Sequence, residues 1–148
     1  MGALIDTNVV LDALAKREPW YRPASNLLFL AANGKADLSV SGSTITDIYY
    51  LVNRHVYHDK SRSLRVVRIL LDSLSVVNVG LEECLMAAYS GRPDYEDAVV
   101  MEAARTAKLS HIITRDVGHY KDSEVPAIEP QAYLDLIVSP PEAARFLV

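Results

Sequence analysis

Apolar residues are distributed along the chain in two alternating patterns. Short apolar segments predict strands, and longer stretches with apolar residues three or four positions apart predict helices. The predicted strands span 3–5, 37–41, 76–79, 111–114 and 125–128, with Gly42 and Gly80 interpreted as the ends of the second and third. The predicted helices are one from about 7, then 21–32, one from 43 or 44, one after the polar break at 58–61, 81–89, 94–108 and 131–137.

Short strands that alternate with helices are typical of βαβ units, in which a parallel sheet carries helices on both faces. We therefore expect an α/β fold, a three-layer α/β/α sandwich around a parallel sheet of about five strands. No internal repeat or dividing linker is visible, so 1–148 is predicted to form a single domain. A short C-terminal segment, 139–148, contains Pro140-Pro141, and the residues after these prolines, 142–148, are expected to pack as a last helix.

Composition and charge exclude several classes of protein. The single cysteine, Cys84, excludes an intramolecular disulfide and suits a reducing cytoplasm. The first residues lack the pattern of a signal peptide, and the longest apolar runs are too short to span a bilayer. The net charge of −4 argues against strong nucleic-acid binding through phosphate neutralisation alone, unless divalent cations sit on the carboxylates.

Aspartates follow the predicted strands at the edge of the sheet where parallel α/β folds bind ligands. Asp6 comes directly after the first strand, and Asp116 comes just after the fourth. Asp47 is expected in the first turn of the helix after the second strand, and Asp97 in the first turn of the helix that opens at Asp94. We therefore expect four carboxylates to converge at one edge.

Carboxylates gathered so closely repel one another unless a cation lies between them. Oxygen ligands suit Mg²⁺ or Mn²⁺ rather than zinc, and such ions activate water and stabilise charge on phosphoryl oxygens. Hydrolysis of phosphodiester bonds is the natural chemistry of such a site.

Each aspartate also has a purely structural interpretation. Asp94 can cap its helix with Asp97 at the third position, and Thr44 and Asp47 have the spacing of a capping box. Asp6 can cap the first helix, and Asp116 can be an ordinary turn residue. A phosphohydrolase of the haloacid-dehalogenase type is a further alternative, but it requires an aspartate where Asn8 stands.

At these positions the sequence resembles the PIN-domain family of ribonucleases. The segments that carry the resemblance, in family order, are Leu4-Ile5-Asp6-Thr7-Asn8-Val9-Val10, Thr44-Ile45-Thr46-Asp47-Ile48-Tyr49-Tyr50, Asp94-Tyr95-Glu96-Asp97-Ala98 and Ile113-Thr114-Arg115-Asp116. The resemblance covers most of the chain. It implies an α/β/α sandwich that cleaves single-stranded RNA, with Mg²⁺ or Mn²⁺ as cofactor.

The resemblance also assigns roles to individual residues and partners. Asp6, Asp97 and Asp116 would ligate the metal ion, while Asp47 completes the cluster or positions the attacking water. The supporting polar residues would be Thr7, Asn8 and Thr114, with Asp94 as a possible fifth carboxylate. Many small members are toxins of toxin–antitoxin pairs, which implies an RNA substrate, a cognate antitoxin and a homodimer. A catalytically weakened PIN-like module that binds RNA or another protein is the alternative.

The sequence departs from the family pattern at two places. Asp47 stands where the family normally has glutamate, and its side chain is one methylene shorter. His119 stands where relatives often have a second acidic residue, and we interpret it as a solvated loop residue. Asp12 is expected at the surface or behind the metal site, and Cys84 is expected in the core.

The stretch from Arg54 to Arg68 contains five basic residues and one acidic residue. Three interpretations stay open: a solvated helix face, a contact for single-stranded RNA, and an antitoxin or dimer contact. The solvated face is favoured, because apolar residues at 64, 67, 71 and 74 form a stripe that would be buried on the opposite side.

Overall fold

Five parallel strands and the helices between them make up the computed structural model, which describes residues 2–138. The strands are β1 Ala3–Ile5, β2 Leu38–Ser41, β3 Ser75–Val77, β4 His111–Ile113 and β5 Ala127–Ile128. The α-helices are α1 Thr7–Leu14, α2 Tyr21–Ala32, α3 Gly42–Val52, α4 Lys60–Ser73, α5 Leu81–Ala88, α6 Tyr95–Thr106 and α7 Pro130–Ile137. A π-helical turn, Asn53–Tyr57, follows α3, and a 3₁₀ turn, Val117–Tyr120, follows β4. The predicted C-terminal segment 139–148 lies outside the described residues.

The strands pair in the order β3-β2-β1-β4-β5, and every pair is parallel. The predicted α/β fold with a parallel sheet of about five strands is therefore confirmed. From β1 the chain proceeds to β2 and β3 on one side and later returns to add β4 and β5 on the other. The strand order thus reverses between β1 and β4, and a crevice opens at such a reversal beyond the carboxyl ends of the strands.

Side chains of β1 alternate between two apolar cores. Ala3 and Ile5 pack with residues of α1, α2, α3, α4 and α7, whereas Leu4 packs with Met101 of α6 and with Tyr120. Successive side chains of a strand point to opposite faces of the sheet, so the two clusters lie on opposite faces. This arrangement gives the predicted three layers of helix, sheet and helix.

The start of α3 differs from the prediction. Gly42 was predicted to end the second strand, with the helix starting at 43 or 44, but it is the first residue of α3. The side chain of Ser41 caps the helix by accepting a hydrogen bond from the Thr44 backbone N–H at 3.2 Å. A serine at this position is a favourable N-cap, so the strand passes directly into the helix. As a consequence Asp47 lies in the second turn of α3, not in the first, and the predicted capping box with Thr44 does not form.

The buried face of α4 also differs from the prediction. Val67 and Leu74 are buried as expected, but Leu64 and Leu71 are 44% and 48% exposed. Ser63 and Leu70 take their places in the interior. Both sets of positions have helical spacing and share two members, so the spacing alone cannot choose between two stripes that differ by a small rotation of the helix.

The basic residues between Arg54 and Arg68 are all exposed, as is His55. Exposure is compatible with all three interpretations of this stretch, so the choice among them stays open. Within residues 2–138, no helix combines the length and the apolar character that crossing a membrane requires.

Replacing Leu70 with alanine should lower the free energy of unfolding by about 2–5 kcal/mol, because the side chain is 4% exposed and its removal leaves a cavity. Leu71→Ala is the matched control one position along the helix, and we expect a change within about 0.5 kcal/mol, as for surface positions. Urea denaturation of the two variants measures both values. Equal losses would contradict the observed orientation of α4.

Candidate active site

The aspartates singled out in the sequence line one cavity of about 730 Å³ beside the reversal of strand order. Each is contributed by a different segment of the chain. The lining includes Asp6, Asp47, Asp97 and Asp116, the predicted supports Thr7 and Asn8, and the loop residue His119. Thr114 is fully buried next to this cavity, whereas Asp94 lines a neighbouring one.

Asp6 is held by a hydroxyl group from the neighbouring strand. It occupies the N-cap position of α1, but its side chain makes no capping hydrogen bond. Instead, Oδ2 accepts a hydrogen bond from Oγ1 of Thr114 at 3.0 Å. The same Thr114 oxygen accepts the backbone N–H of Asp116, also at 3.0 Å. One buried hydroxyl therefore connects two of the four acidic residues.

Asp97 has contacts with Asp94, Tyr120 and His119 in the site. Its backbone N–H donates to Oδ1 of Asp94 at 2.9 Å, which confirms Asp94 as the N-cap of α6. The buried Tyr120 donates its hydroxyl to Oδ1 of Asp97 at 3.3 Å. Nδ1 of His119 lies 3.8 Å from Oδ2. His119 is solvent-exposed, as expected for a loop residue, but it also borders the cavity.

Asp47 and the hydroxyl residues form the opposite wall. Asp47 is exposed on α3. Below it, Thr7 donates to Oγ1 of Thr44 at 3.2 Å, and Thr44 shares a further hydrogen bond of 3.0 Å with Ser41. This chain of hydroxyl groups joins the starts of α1 and α3, and it keeps their first turns close together.

Burial and mutual repulsion disfavour the charged forms of two carboxyl groups. Removal from water raises the pKa of Asp6; hydrogen bonds from Thr114 and Thr7 act against that rise, and the charge of Asp116 adds to it. Burial likewise raises the pKa of Asp97, with further contributions from the charges of Asp94 and Asp6. A cation placed among these groups would relieve both effects.

The donor set suits a hard divalent cation, since the polar side chains that face the cavity from all four segments carry carboxylate oxygens. Within residues 2–138, however, no three or more His, Cys, Asp or Glu side chains are already arranged to hold a metal ion. Mg²⁺ keeps several waters and is commonly bound through only one or two carboxylates, so this arrangement is compatible with it.

Three further residues line the cavity that were not assigned to the acidic site from the sequence. Tyr50 and Tyr95 line it with rings that are 65% and 51% exposed, and the Tyr95 hydroxyl donates to the Cys84 carbonyl at 3.4 Å. A usable signal existed for the first, because Tyr50 follows Asp47 by three positions and so shares its helix face. Cys84 is only half-buried and borders the cavity, so its expected place in the core is wrong.

A family comparison covers the segments that build this cavity. The model of the PIN domain matches residues 2–118. The chain belongs to the PIN-domain family.

Individual proteins with related sequence or structure agree with this membership. Ribonuclease VapC1 from Aquifex aeolicus (strain VF5) is 24% identical over 131 residues, which cover 84% of this chain and 89% of that protein. A toxin–antitoxin complex from Klebsiella pneumoniae contains a chain that superposes with a TM-score of 0.65 at 18% identity, over 87% of this chain and 98% of that one. VapBC-1 from nontypeable Haemophilus influenzae gives a TM-score of 0.66 at 16% identity, over 88% and 99%.

Two features of this PIN domain bear on the geometry of the acidic cavity. The short side chain of Asp47 starts from the second turn of α3 and stays exposed. The hydroxyl of Tyr120 contributes a hydrogen bond to Asp97 from beyond the matched region, which ends at 118.

Asp6→Asn should increase the stability of the metal-free PIN domain at neutral pH. The raised pKa of Asp6 means that folding disfavours its ionised form, and this penalty is present above the raised pKa. Asparagine removes the penalty, so we expect a gain of about 0.5–2 kcal/mol that disappears as the pH falls below the ordinary aspartate range. Thermal unfolding in chelator, with the exposed Asp72→Asn as control, measures the difference. A less stable Asp6→Asn protein would contradict the expectation.

Proposed function

We propose that this PIN domain is a metal-dependent endoribonuclease that hydrolyses phosphodiester bonds of RNA with Mg²⁺ or Mn²⁺. The observation that carries the proposal is the arrangement of the cavity, in which four aspartates from four segments meet at the reversal of strand order. The ribonuclease name of the Aquifex aeolicus relative, which shares most of the chain, supports the same chemistry.

In this proposal Asp6, Asp97 and Asp116 hold the divalent ion, and Asp47 completes the cluster or positions the attacking water. The bound ion would lower the pKa of that water and stabilise negative charge on the phosphoryl oxygen. The protein's own side chains orient the carboxylates. Thr114 keeps one oxygen of Asp6 oriented, and Tyr120 keeps one oxygen of Asp97 oriented.

The protonation state of Tyr120 suits this role. Burial, followed by the charges of Asp6 and Asp97, raises the pKa of its hydroxyl far above the ordinary tyrosine value. The hydroxyl therefore remains protonated, and a donor, around neutral pH. A phenylalanine at this position would fill the same space but leave Asp97 without this bond.

Single-stranded or exposed RNA is the substrate that the cavity favours. Tyr50 and Tyr95 present exposed rings along the same opening as the acidic groups. Unpaired bases stack on such rings without regard to sequence, whereas the bases of a duplex are already stacked on one another. RNA cleavage of this kind would place the protein in the cytoplasm.

Toxin activity and the protein partners are proposed from what the similar structures are described as. Both similar structures are described as assemblies, one a toxin–antitoxin complex and the other a VapBC pair. We propose that this chain forms one domain over 1–148, assembles as a homodimer and is inhibited by a cognate antitoxin.

Cleavage of a labelled, structured RNA pool in Mn²⁺ or Mg²⁺ tests the nuclease. Wild type should cut, chelator should stop the reaction, and Asp97→Asn should reduce the rate by more than about 100-fold, because metal-assisted charge stabilisation contributes several kcal/mol. Asp72→Asn, prepared in the same way, controls for contaminating nuclease and should cut like wild type.

The alternative, a module that binds RNA or protein without cutting, is kept open by the short Asp47 and by the lack of a preformed ligand set in residues 2–138. If neither wild type nor variant cuts and calorimetry detects no Mn²⁺ binding, the nuclease proposal is rejected in favour of the binding module.

Replacing Tyr95 with leucine should raise KM for a single-stranded oligonucleotide about fivefold or more, because one stacking contact is lost. The rate constant at saturation should change little if the ring only binds a base. Tyr89→Leu is the control, since Tyr89, which directly follows α5, is 87% exposed and does not line the cavity. An unchanged KM for Tyr95→Leu would remove the stacking argument.

A further inference from the structure

A carboxylate outside the cavity is buried without the hydrogen bonds that usually accompany burial. Asp12, on α1, is 1% exposed, and neither of its oxygens has a hydrogen-bond partner. Of the two positions expected for Asp12, the surface is therefore wrong, and a position behind the acidic cavity remains. Its neighbours are guanidinium groups: Nε of Arg115 lies 3.2 Å from Oδ2, and Nη1 of Arg17 lies 3.8 Å from Oδ1.

Arg115 is the more enclosed of the two cations. Its side chain is 20% exposed, against 41% for Arg17. Its guanidinium carbon lies 3.8 Å from the centre of the Trp20 ring, within the range of a cation–π interaction. Nε is buried and close to Asp12, yet its N–H is not aligned for a hydrogen bond. The contact is thus an ion pair held by charge and by stacking.

The position of Arg115 in the chain connects this ion pair to the cavity. Arg115 directly precedes Asp116, and Thr114 on its other side holds both Asp6 and the backbone of Asp116. Fixing the Arg115 side chain against α1 therefore restricts the backbone from which the Asp116 carboxylate extends. Asp12 also interacts electrostatically with Asp116, and burial raises the pKa of Asp12 while Arg115 and then Arg17 act in the opposite direction.

A contribution to folding alone does not account well for this cluster. A buried ion pair is a weak source of stability, and apolar side chains of similar volume usually replace it without loss. The ion pair lies next to Asp116 in the chain, and its position is better explained if it orients the Asp116 carboxylate.

We propose that Asp12, Arg115 and Trp20 form a clamp that positions Asp116 and thereby sets the affinity of the cavity for its divalent ion. The clamp rests on the proposed metal-dependent function. Its three members are positioning residues, because none of them lines the cavity. Groups that orient metal ligands from behind in this way usually change metal affinity by about 10- to 100-fold when they are removed.

Mn²⁺ binding measured by calorimetry tests the clamp independently of cleavage. Arg115→Met should weaken Mn²⁺ binding by about 10-fold or more. Arg17→Gln is the matched control, since it removes a charge from the same carboxylate but lies far in sequence from Asp116, and its Mn²⁺ affinity should stay within about twofold of wild type. The Mn²⁺ concentration that gives half-maximal cleavage should shift in parallel, with a smaller change at saturating Mn²⁺.

The single variant leaves Asp12 buried without its main counter-charge, and it can lose stability for that reason alone. The double variant Asp12→Leu/Arg115→Met removes both charges and should fold. Mn²⁺ binding that remains weak in the folded double variant supports the clamp, and wild-type affinity there overturns it. Equal weakening by Arg17→Gln also overturns it.

The outcomes separate the two proposals. A wild-type protein that binds no Mn²⁺ refutes the metal-dependent function and the clamp together. A wild-type protein that binds Mn²⁺ and cuts RNA, with a double variant that does both equally well, refutes the clamp and leaves the nuclease standing.

Discussion

Parallel pairing of β1 with β4 is the constraint on which the rest of the structure depends. It brings Asp6 against Thr114, which lies 108 positions later in the chain, and it creates the reversal of strand order beside which the cavity opens. The three residues that follow β4 then contact different parts of the structure. Thr114 faces Asp6, Arg115 faces α1, and Asp116 lines the cavity. A single turn thus connects the sheet, the first helix and the acidic site.

The acidic site is stabilised by neutral donors rather than by cations. Thr114 and Tyr120 each donate a hydroxyl to one carboxylate, while the guanidinium group of Arg115 lies behind the site, against Asp12. This distribution leaves the space between the carboxylates free for an external cation. Burial is the main reason why folding raises the pKa of Asp6 and Asp97, and the charges of neighbouring carboxylates add to the rise. Such a site sacrifices stability for the capacity to bind an ion.

Much of the fold could be predicted from local patterns. The bounds predicted for α2 match the structure, because an uninterrupted apolar repeat is followed by Asn33-Gly34, a clear stop signal. Asp6 and Asp116 could be named because each follows a strand, and Asp97 because it lies in the first turn of its helix. Predictions failed where two local interpretations were equally good. The rotation of α4 depends on what packs against it, and the role of Gly42 depends on the cap that Ser41 provides.

By itself, the sequence determined the alternation of strands and helices, the identity of the acidic residues and the family to which they belong. Those features are encoded in short stretches, where spacing and residue type are sufficient. Only the tertiary structure decided which polar groups meet across long separations. The bond between Tyr120 and Asp97 and the burial of Asp12 under Arg115 join segments that no local pattern connects. Their positions follow from the order of the strands, which is a property of the whole chain.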